Sequence, residues 1–159
     1  MTHVLVVCTG NICRSPIAAA LLRMELDSRD MKETSVSSAG TGAWDGAPAS
    51  EGAYLVALEH GVDLSGHRAR LLTREVVEGA DVIFTMARHQ RARVEELGGT
   101  GRVHVLGEFA GKTGPDAEVG DPFGADLQTY RNTFEELRGL IAEAAKRLVE
   151  ERGDEDKRA

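Results

Sequence analysis

The run His3-Val4-Leu5-Val6-Val7-Cys8-Thr9-Gly10-Asn11-Ile12-Cys13-Arg14-Ser15-Pro16 falls into three parts. His3 to Val7 is short, Val-rich and apolar, and Cys8-Thr9-Gly10-Asn11 closes it, which predicts a buried strand ending in a turn. Ser15-Pro16 opens a helical pattern, because Ser suits an N-cap and Pro suits the first helical position. Ile17, Leu21, Leu22, Met24 and Leu26 carry that pattern on at roughly helical spacing. The opening of the chain is therefore strand, tight loop, helix.

The same alternation continues. Thr34 to Ser38 predicts a second strand, stopped by Ala39-Gly40-Thr41-Gly42, and Pro48 to His60 a helix ended by Gly61. Asp63 to Ala69 reads as a loop or short strand, and Thr73 as the cap of a short helix through Glu78. Asp81 to Met86 is the next strand, Ala87 to Leu97 a helix closed by Gly98-Gly99, and Arg102 to Leu106 the last strand. Gly107 to Ala125 is rich in Gly and Pro and is expected to be a functional loop. Asp126 to Val149 is a final helix, with Leu127, Tyr130, Phe134, Leu137, Leu140, Ile141, Ala144 and Leu148 on one face. Residues 1–149 form one expected domain, and 150–159 a charged C-terminal tail that frays. Strands alternating with helices imply an α/β fold, a doubly wound parallel sheet of about four strands with helices on both faces. Ligands in such sheets bind at the carboxyl ends of the strands, so the loop after the first strand is where chemistry is expected.

Composition narrows the function. The 159 residues carry a net charge of -7, with 19 basic and 26 acidic side chains, which argues against a nucleic-acid partner. The aliphatic run Val4–Val7 is far too short to span a bilayer or to serve as a secretory signal core. The chain reads as soluble and cytoplasmic, with no membrane partner, and as a monomer or weak dimer. The two cysteines, Cys8 and Cys13, are too few for a disulfide scaffold or a thiolate zinc site, and no metal or other cofactor is expected.

Between strand and helix, a small Gly-containing loop can wrap its N–H groups around a phosphate-like anion at the positive end of a helix. Arg14 can add two parallel hydrogen bonds to the same anion. Cys8 would lie at the base of this cradle, where the same donors favour a nucleophilic thiolate. No Gly-Lys-Ser/Thr follows, so this is not a nucleotide P-loop, and the cysteines are too far apart for a thioredoxin-like pair.

Leu5 to Pro16 resembles the signature of the low-molecular-weight protein tyrosine phosphatases: Cys and Arg separated by five residues, then Ser, near the start of the chain. Ser38-Ala39-Gly40-Thr41-Gly42-Ala43-Trp44, Leu64-Ser65-Gly66-His67-Arg68-Ala69-Arg70 and Asp121-Pro122-Phe123 fall in the family's order. The resemblance implies Cys8 as the nucleophile that forms a phosphocysteine, Arg14 as the phosphate clamp and Asp121 as the general acid. Thr9, Gly10, Asn11, Ile12, Cys13 and Ser15 would complete the phosphate-binding loop. Asn11, Ser15, Ser38 and His67 would form the network that shapes it, and Ile12, Trp44 and Phe123 would line the substrate cleft. Read without the family, Asp121 is a turn residue before Pro122. The Tyr130–Phe134 pair reads as core, and Arg68, Arg70 and Arg74 as a solvated face.

The implied substrate is a phosphorylated protein. Phe123-Gly124 where many members carry Tyr after Asp-Pro, and Ala87 after Met86, resemble the protein-arginine-phosphatase branch. Against it stands Ile12, because in the family Ile at this position goes with phosphotyrosine and Thr with phosphoarginine. Trp44 also favours a flat aromatic substrate, so phosphotyrosine is the preferred reading and phosphoarginine the alternative. Arsenate reduction on this scaffold needs further thiols, and only Cys13 is present. A phosphate-binding module without turnover would not need Cys8, Arg14 and Asp121 together.

Overall fold

A computed structural model describes the backbone of residues 2–158 and the side chains of residues 2–154. Four strands, β1 (Thr2–Cys8), β2 (Thr34–Gly40), β3 (Val82–Thr85) and β4 (Val103–Val105), form one sheet in the order β2-β1-β3-β4. All three pairings are parallel, with Val6 opposite Ser38 on one side and Phe84 on the other. The expected α/β architecture is the observed one. The chain moves outward from β1 to β2 and then crosses back to β3, so the direction of winding reverses beside β1. Cys8 is thereby placed at the carboxyl end of the strand where doubly wound sheets open a crevice.

Side-chain alternation along β1 divides the core. Val4, Val6 and Cys8 join α1 (Arg14–Ser28), α2 (Glu51–Glu59), α5 (Leu106–Phe109) and α6 (Leu127–Arg158) on one face. Leu5 and Val7 join Val77 of α3 (Arg74–Glu78) and Val94 of α4 (Arg88–Val94) on the other. Successive strand residues point to opposite faces, which is why an unbroken Val-rich run can serve two apolar layers. Burying each such side chain contributes roughly 1.5–3 kcal/mol.

Several boundaries differ from the sequence expectation. The helix after the first loop begins at Arg14, with Cys13 at its cap position and no side chain capping it. Ser15 is inside the first turn because its hydroxyl is taken by Asn11 and Cys8 rather than by a helix amide. Pro16 is tolerated there because a first-turn N–H has no intrahelical partner. Ser50 rather than Pro48 opens α2, accepting the Ala53 N–H at 3.3 Å. Thr73 caps α3 as expected, accepting the Val76 N–H at 3.2 Å. Met24 and Leu127, placed on apolar faces by spacing, are 53% and 39% exposed.

The Gly- and Pro-rich stretch is not structureless. It holds α5 and a 3₁₀ turn at Gly114–Ala117, because Leu106 and Phe109 insert into the core. A Cβ on Gly107 would stand 2.1 Å from the Ala117 carbonyl oxygen, so the two turns pack together only with glycine there. The last helix continues past Val149 through Arg158, where a fraying tail was expected. Arg152 ties it down, reaching Thr2 Oγ1 at 3.2 Å and Glu33 Oε2 at 3.4 Å. Ala159 lies outside the described residues.

Candidate active site

Cys8 ends β1 and is 2% exposed. The chain turns sharply at Asn11, whose φ of 55° brings its backbone N–H to 3.3 Å from Cys8 Sγ. Asn visits this left-handed region more readily than most residues because its short amide can bond locally. Its Nδ2 donates to Ser15 Oγ at 2.7 Å and to Ser38 Oγ at 2.9 Å. Its Oδ1 accepts the Arg70 backbone N–H at 3.0 Å. Its carbonyl accepts from His67 Nε2 at 2.6 Å, and since a carbonyl only accepts, that nitrogen carries the proton. Ser15 Oγ, already an acceptor from Asn11, lies 3.0 Å from Cys8 Sγ, so its own proton is available to the sulfur. The expected loop-shaping residues Asn11, Ser15, Ser38 and His67 thus form one connected network.

His67 has an orienting place here. Burial lowers its pKa, the bond to Asn11 opposes the shift, and Arg23 and Arg68 add to it. A neutral ring donating to the Asn11 carbonyl fits a positioning group better than a proton carrier.

Four further residues hold the loop from outside. Gln90, fully buried, accepts the Met86 and Ala87 N–H groups and donates to Thr9 Oγ1 at 3.1 Å. Gly40 lies so close that a Cβ would stand 2.4 Å from the Thr9 carbonyl oxygen. Beyond it, the Thr41 and Gly42 N–H groups donate to the Cys8 and Thr9 carbonyls, both at 3.0 Å. Sequence reasoning missed Gln90 and the close approach of Gly40. A Gln three residues past a helix start is a capping signal that points to Gln90. Nothing local marks the packing of Gly40.

Arg14 projects from the first turn of α1 and is 4% exposed. Its Nη1 donates to the Val119 carbonyl at 2.8 Å, and Nη2 lies 3.7 Å from Asp121 Oδ2. Its Nε is buried and makes no hydrogen bond among the described residues. Val119 is itself fixed to the sheet, donating its N–H to the Met86 carbonyl at 2.9 Å. One guanidinium therefore brings the loop after β1 together with the segment carrying Asp121, over one hundred residues on. The Asp121 side chain is 52% exposed, and its Oδ1 accepts the Phe123 N–H at 3.0 Å. Asp121 is thus both a turn-forming residue and a neighbour of the arginine.

Cys13 contributes its backbone to the loop, but its thiol faces the core, 3.1 Å from Ser50 Oγ and 3.4 Å from Tyr130 Oη. Burial pushes the Cys13 thiol up and the Tyr130 phenol up to about 12. Ile12 is half-buried and packs on the edge of the core, whereas Trp44 and Phe123 are 84% and 65% exposed. Exposed large aromatics on loops are available to a ligand rather than to the core. Tyr130 and Phe134 are buried, as their spacing suggested. Among the described residues no three His, Cys, Asp or Glu side chains converge into a group able to hold a metal, and no helix is long and apolar enough to cross a membrane.

Known proteins resemble this chain over nearly its whole length. A probable low molecular weight protein-tyrosine-phosphatase, EpsP, from Ralstonia nicotianae is 41% identical over 142 residues, covering 87% of this chain and 91% of the relative. The solved YwlE arginine phosphatase from Geobacillus stearothermophilus superposes with a TM-score of 0.86 at 32% identity, covering 97% of each chain. The low molecular weight protein tyrosine phosphatase from T. tengcongensis superposes with a TM-score of 0.83 at 38% identity, covering 92% of this chain and 99% of that one. Residues 3–157 match the family model for low molecular weight phosphotyrosine protein phosphatase, and this chain belongs to that family.

Proposed function

We propose that this protein hydrolyses phosphotyrosine in protein substrates through a phosphocysteine on Cys8. The observation that carries the reading is a single loop that holds Cys8 Sγ 3.0 Å from Ser15 Oγ and, one residue before that serine, the buried Arg14 guanidinium 3.7 Å from Asp121. The Nη1 of Arg14 is spent on the Val119 carbonyl. Its Nε–Nη2 edge remains to meet two phosphoryl oxygens side by side. The backbone N–H groups between Thr9 and Ser15 and the start of α1 add donors for the same charge.

In the first step Cys8 sulfur attacks phosphorus and the tyrosine oxygen leaves. A phenol has a pKa of about 10, so Asp121 delivers a proton as the P–O bond breaks. The Ser15 hydroxyl lies 3.0 Å from the sulfur, close enough to donate to the thiolate that departs again at the end. In the second step the Asp121 carboxylate takes a proton from water. That water attacks phosphorus and the S–P bond breaks, giving phosphate and free Cys8. The half-exposed position of Asp121 suits a group that must meet both substrate and water. Ile12, Trp44 and Phe123 would flank the ring of the substrate.

The relatives bear both tyrosine-phosphatase and arginine-phosphatase names. Ile12 is the feature that favours the aromatic substrate, because a branched apolar side chain packs on a phenyl ring but offers a guanidinium no hydrogen bond. Hydrolysis rates on phosphotyrosine and phosphoarginine peptides, measured side by side with a metal chelator present, test this. Faster turnover of phosphotyrosine supports the reading, and a clear preference for phosphoarginine rejects it.

A further inference from the structure

Beside the residues that hold Asn11 lies a cleft of about 400 Å³ lined in part by Arg23, Asp63, Leu64, His67, Arg68 and Arg70. It runs between α1 and the edge strand β2. Most other described arginines stand within 4 Å of a carboxylate, as Arg88, Arg91, Arg131 and Arg147 do. Arg23, Arg68 and Arg70 bond only to backbone carbonyls and one hydroxyl. Asp63 is the one carboxylate on the lining, and it accepts the Ser65 N–H instead of pairing with an arginine. In a chain of net charge -7, three such cations around one cleft stand out.

The arginines have a structural task. Arg23 covers the Val36 carbonyl and Arg70 the Ser38 carbonyl, which blunts the open edge of β2. That task consumes little of their capacity. A guanidinium carries five N–H donors, and each of the three spends two in these contacts. The remaining donors, and all three charges, belong to the cleft. Arg68 caps no edge carbonyl of β2, bonding instead to the carbonyls of Ser65 and His67.

The cleft and the phosphate loop meet at one residue. His67, on the cleft lining, holds the Asn11 carbonyl at 2.6 Å, and the Arg70 backbone N–H holds Asn11 Oδ1 at 3.0 Å. Ser38, also on the lining, accepts from Asn11 Nδ2 at 2.9 Å. A ligand that draws Arg70 or His67 toward itself acts on the residue that sets the loop's turn.

We propose that this cleft is a second anion site, taking a small diphosphate-type polyanion between Arg23, Arg68 and Arg70, and that its occupancy is coupled through Asn11 to anion binding at the Cys8–Arg14 loop. The coupling rests on the proposed catalytic reading only for its effect on turnover. Binding itself does not. The volume lies at the lower end for small-molecule sites, and spare guanidinium donors match phosphoryl oxygens in pairs. Coupling of this kind is reciprocal, so an anion at either site changes affinity at the other by the same factor.

The test is a titration of the full chain with methylenediphosphonate, whose P–C–P link resists hydrolysis, followed residue by residue by amide NMR shifts. Two saturating sets are expected, one over residues 9–15 and one over residues 20–23 and 63–70. Arg68→Ala and Arg23→Gln, which leave every active-site residue in place, should weaken the second set by about tenfold or more and keep the first. They should also change the midpoint of the first set. A single set confined to residues 9–15, or a second set unmoved by both substitutions, overturns the site. A second set lost without any change in the first overturns the coupling. Failure of the protein to turn over phosphotyrosine would leave all of these readouts intact, so the two readings fail separately.

Discussion

Asn11 is fully buried and has a partner for every polar atom, whereas Asp121, beside Arg14, is half exposed and makes one hydrogen bond to a backbone amide. Asn11 turns the loop after β1, and Asp121 lies 3.7 Å from the arginine that closes that loop. The loop proposed to hold a phosphoryl group is tied down by its own hydrogen bonds, which lowers the ordering cost of binding. The segment carrying Asp121, proposed to deliver and recover a proton, stays open to solvent. The comparison separates groups whose loss should damage the fold from groups whose loss should damage only the chemistry.

The largest effect is expected from Cys8→Ser. A serine oxygen is a poor nucleophile at neutral pH, so turnover should fall on the order of 10⁵–10⁶-fold. Binding of a phosphate analogue should survive, because Arg14 and the loop amides remain. Analogue affinity by calorimetry beside turnover by phosphate release checks this. Retention of more than a trace of turnover would assign the nucleophile elsewhere.

Asp121→Ala should cost about 10²–10³-fold with alkyl-substituted phenol leaving groups. The loss should shrink steadily as leaving-group pKa falls, because a good leaving group needs no proton. A leaving-group series of aryl phosphates measures the slope. A uniform loss across the series would leave Asp121 as a turn residue and nothing more. Melting should change little in this variant, since the side chain is half exposed, holds one surface turn and stands 3.7 Å from an arginine that keeps its bond to the Val119 carbonyl.

Asn11→Ala tests the other side of the comparison. It strands the Ser15 and Ser38 hydroxyls and the Arg70 N–H, and it puts an ordinary side chain at φ 55°. Stability should fall by about 3 kcal/mol, read by urea denaturation. Phe123→Ala, at a 65% exposed position, should stay within about 0.5 kcal/mol of the parent. Equal losses from the two would erase the distinction between a prebuilt loop and an open one.

The smallest effect is expected at Ile12. Exchanging a branched apolar contact for a hydroxyl is worth about 1–3 kcal/mol in discrimination. Ile12→Thr should therefore raise the phosphoarginine-to-phosphotyrosine rate ratio by about tenfold, and an unchanged ratio would remove Ile12 from the substrate wall.

The strand, loop and helix around Cys8 were legible because the residues that build them are contiguous, so local patterning and chemistry coincide. Asp121 was legible only through the family resemblance, since nothing in Asp-Pro itself says that Arg14 lies 3.7 Å away. The Val119 carbonyl and the Arg70 amide meet the site through backbone atoms, which carry no residue signature. Ser15 misled the helix boundary for a physical reason: two buried partners outbid the helix amides for its hydroxyl. The short helix at Leu106–Phe109 was hidden by its glycine-rich surroundings, although Leu106 and Phe109 are apolar enough to anchor it.

The central claim is a covalent phosphoryl group on Cys8, and it can be trapped. Rapid mixing with an aryl phosphate, acid quenching within the first turnover and mass analysis of the N-terminal peptide would locate it. A phosphate on Cys8 sulfur that forms before steady state and decays at the turnover rate is the expected result. Rapid turnover with Cys8 unmodified throughout, or with the phosphate on another side chain, would contradict the account.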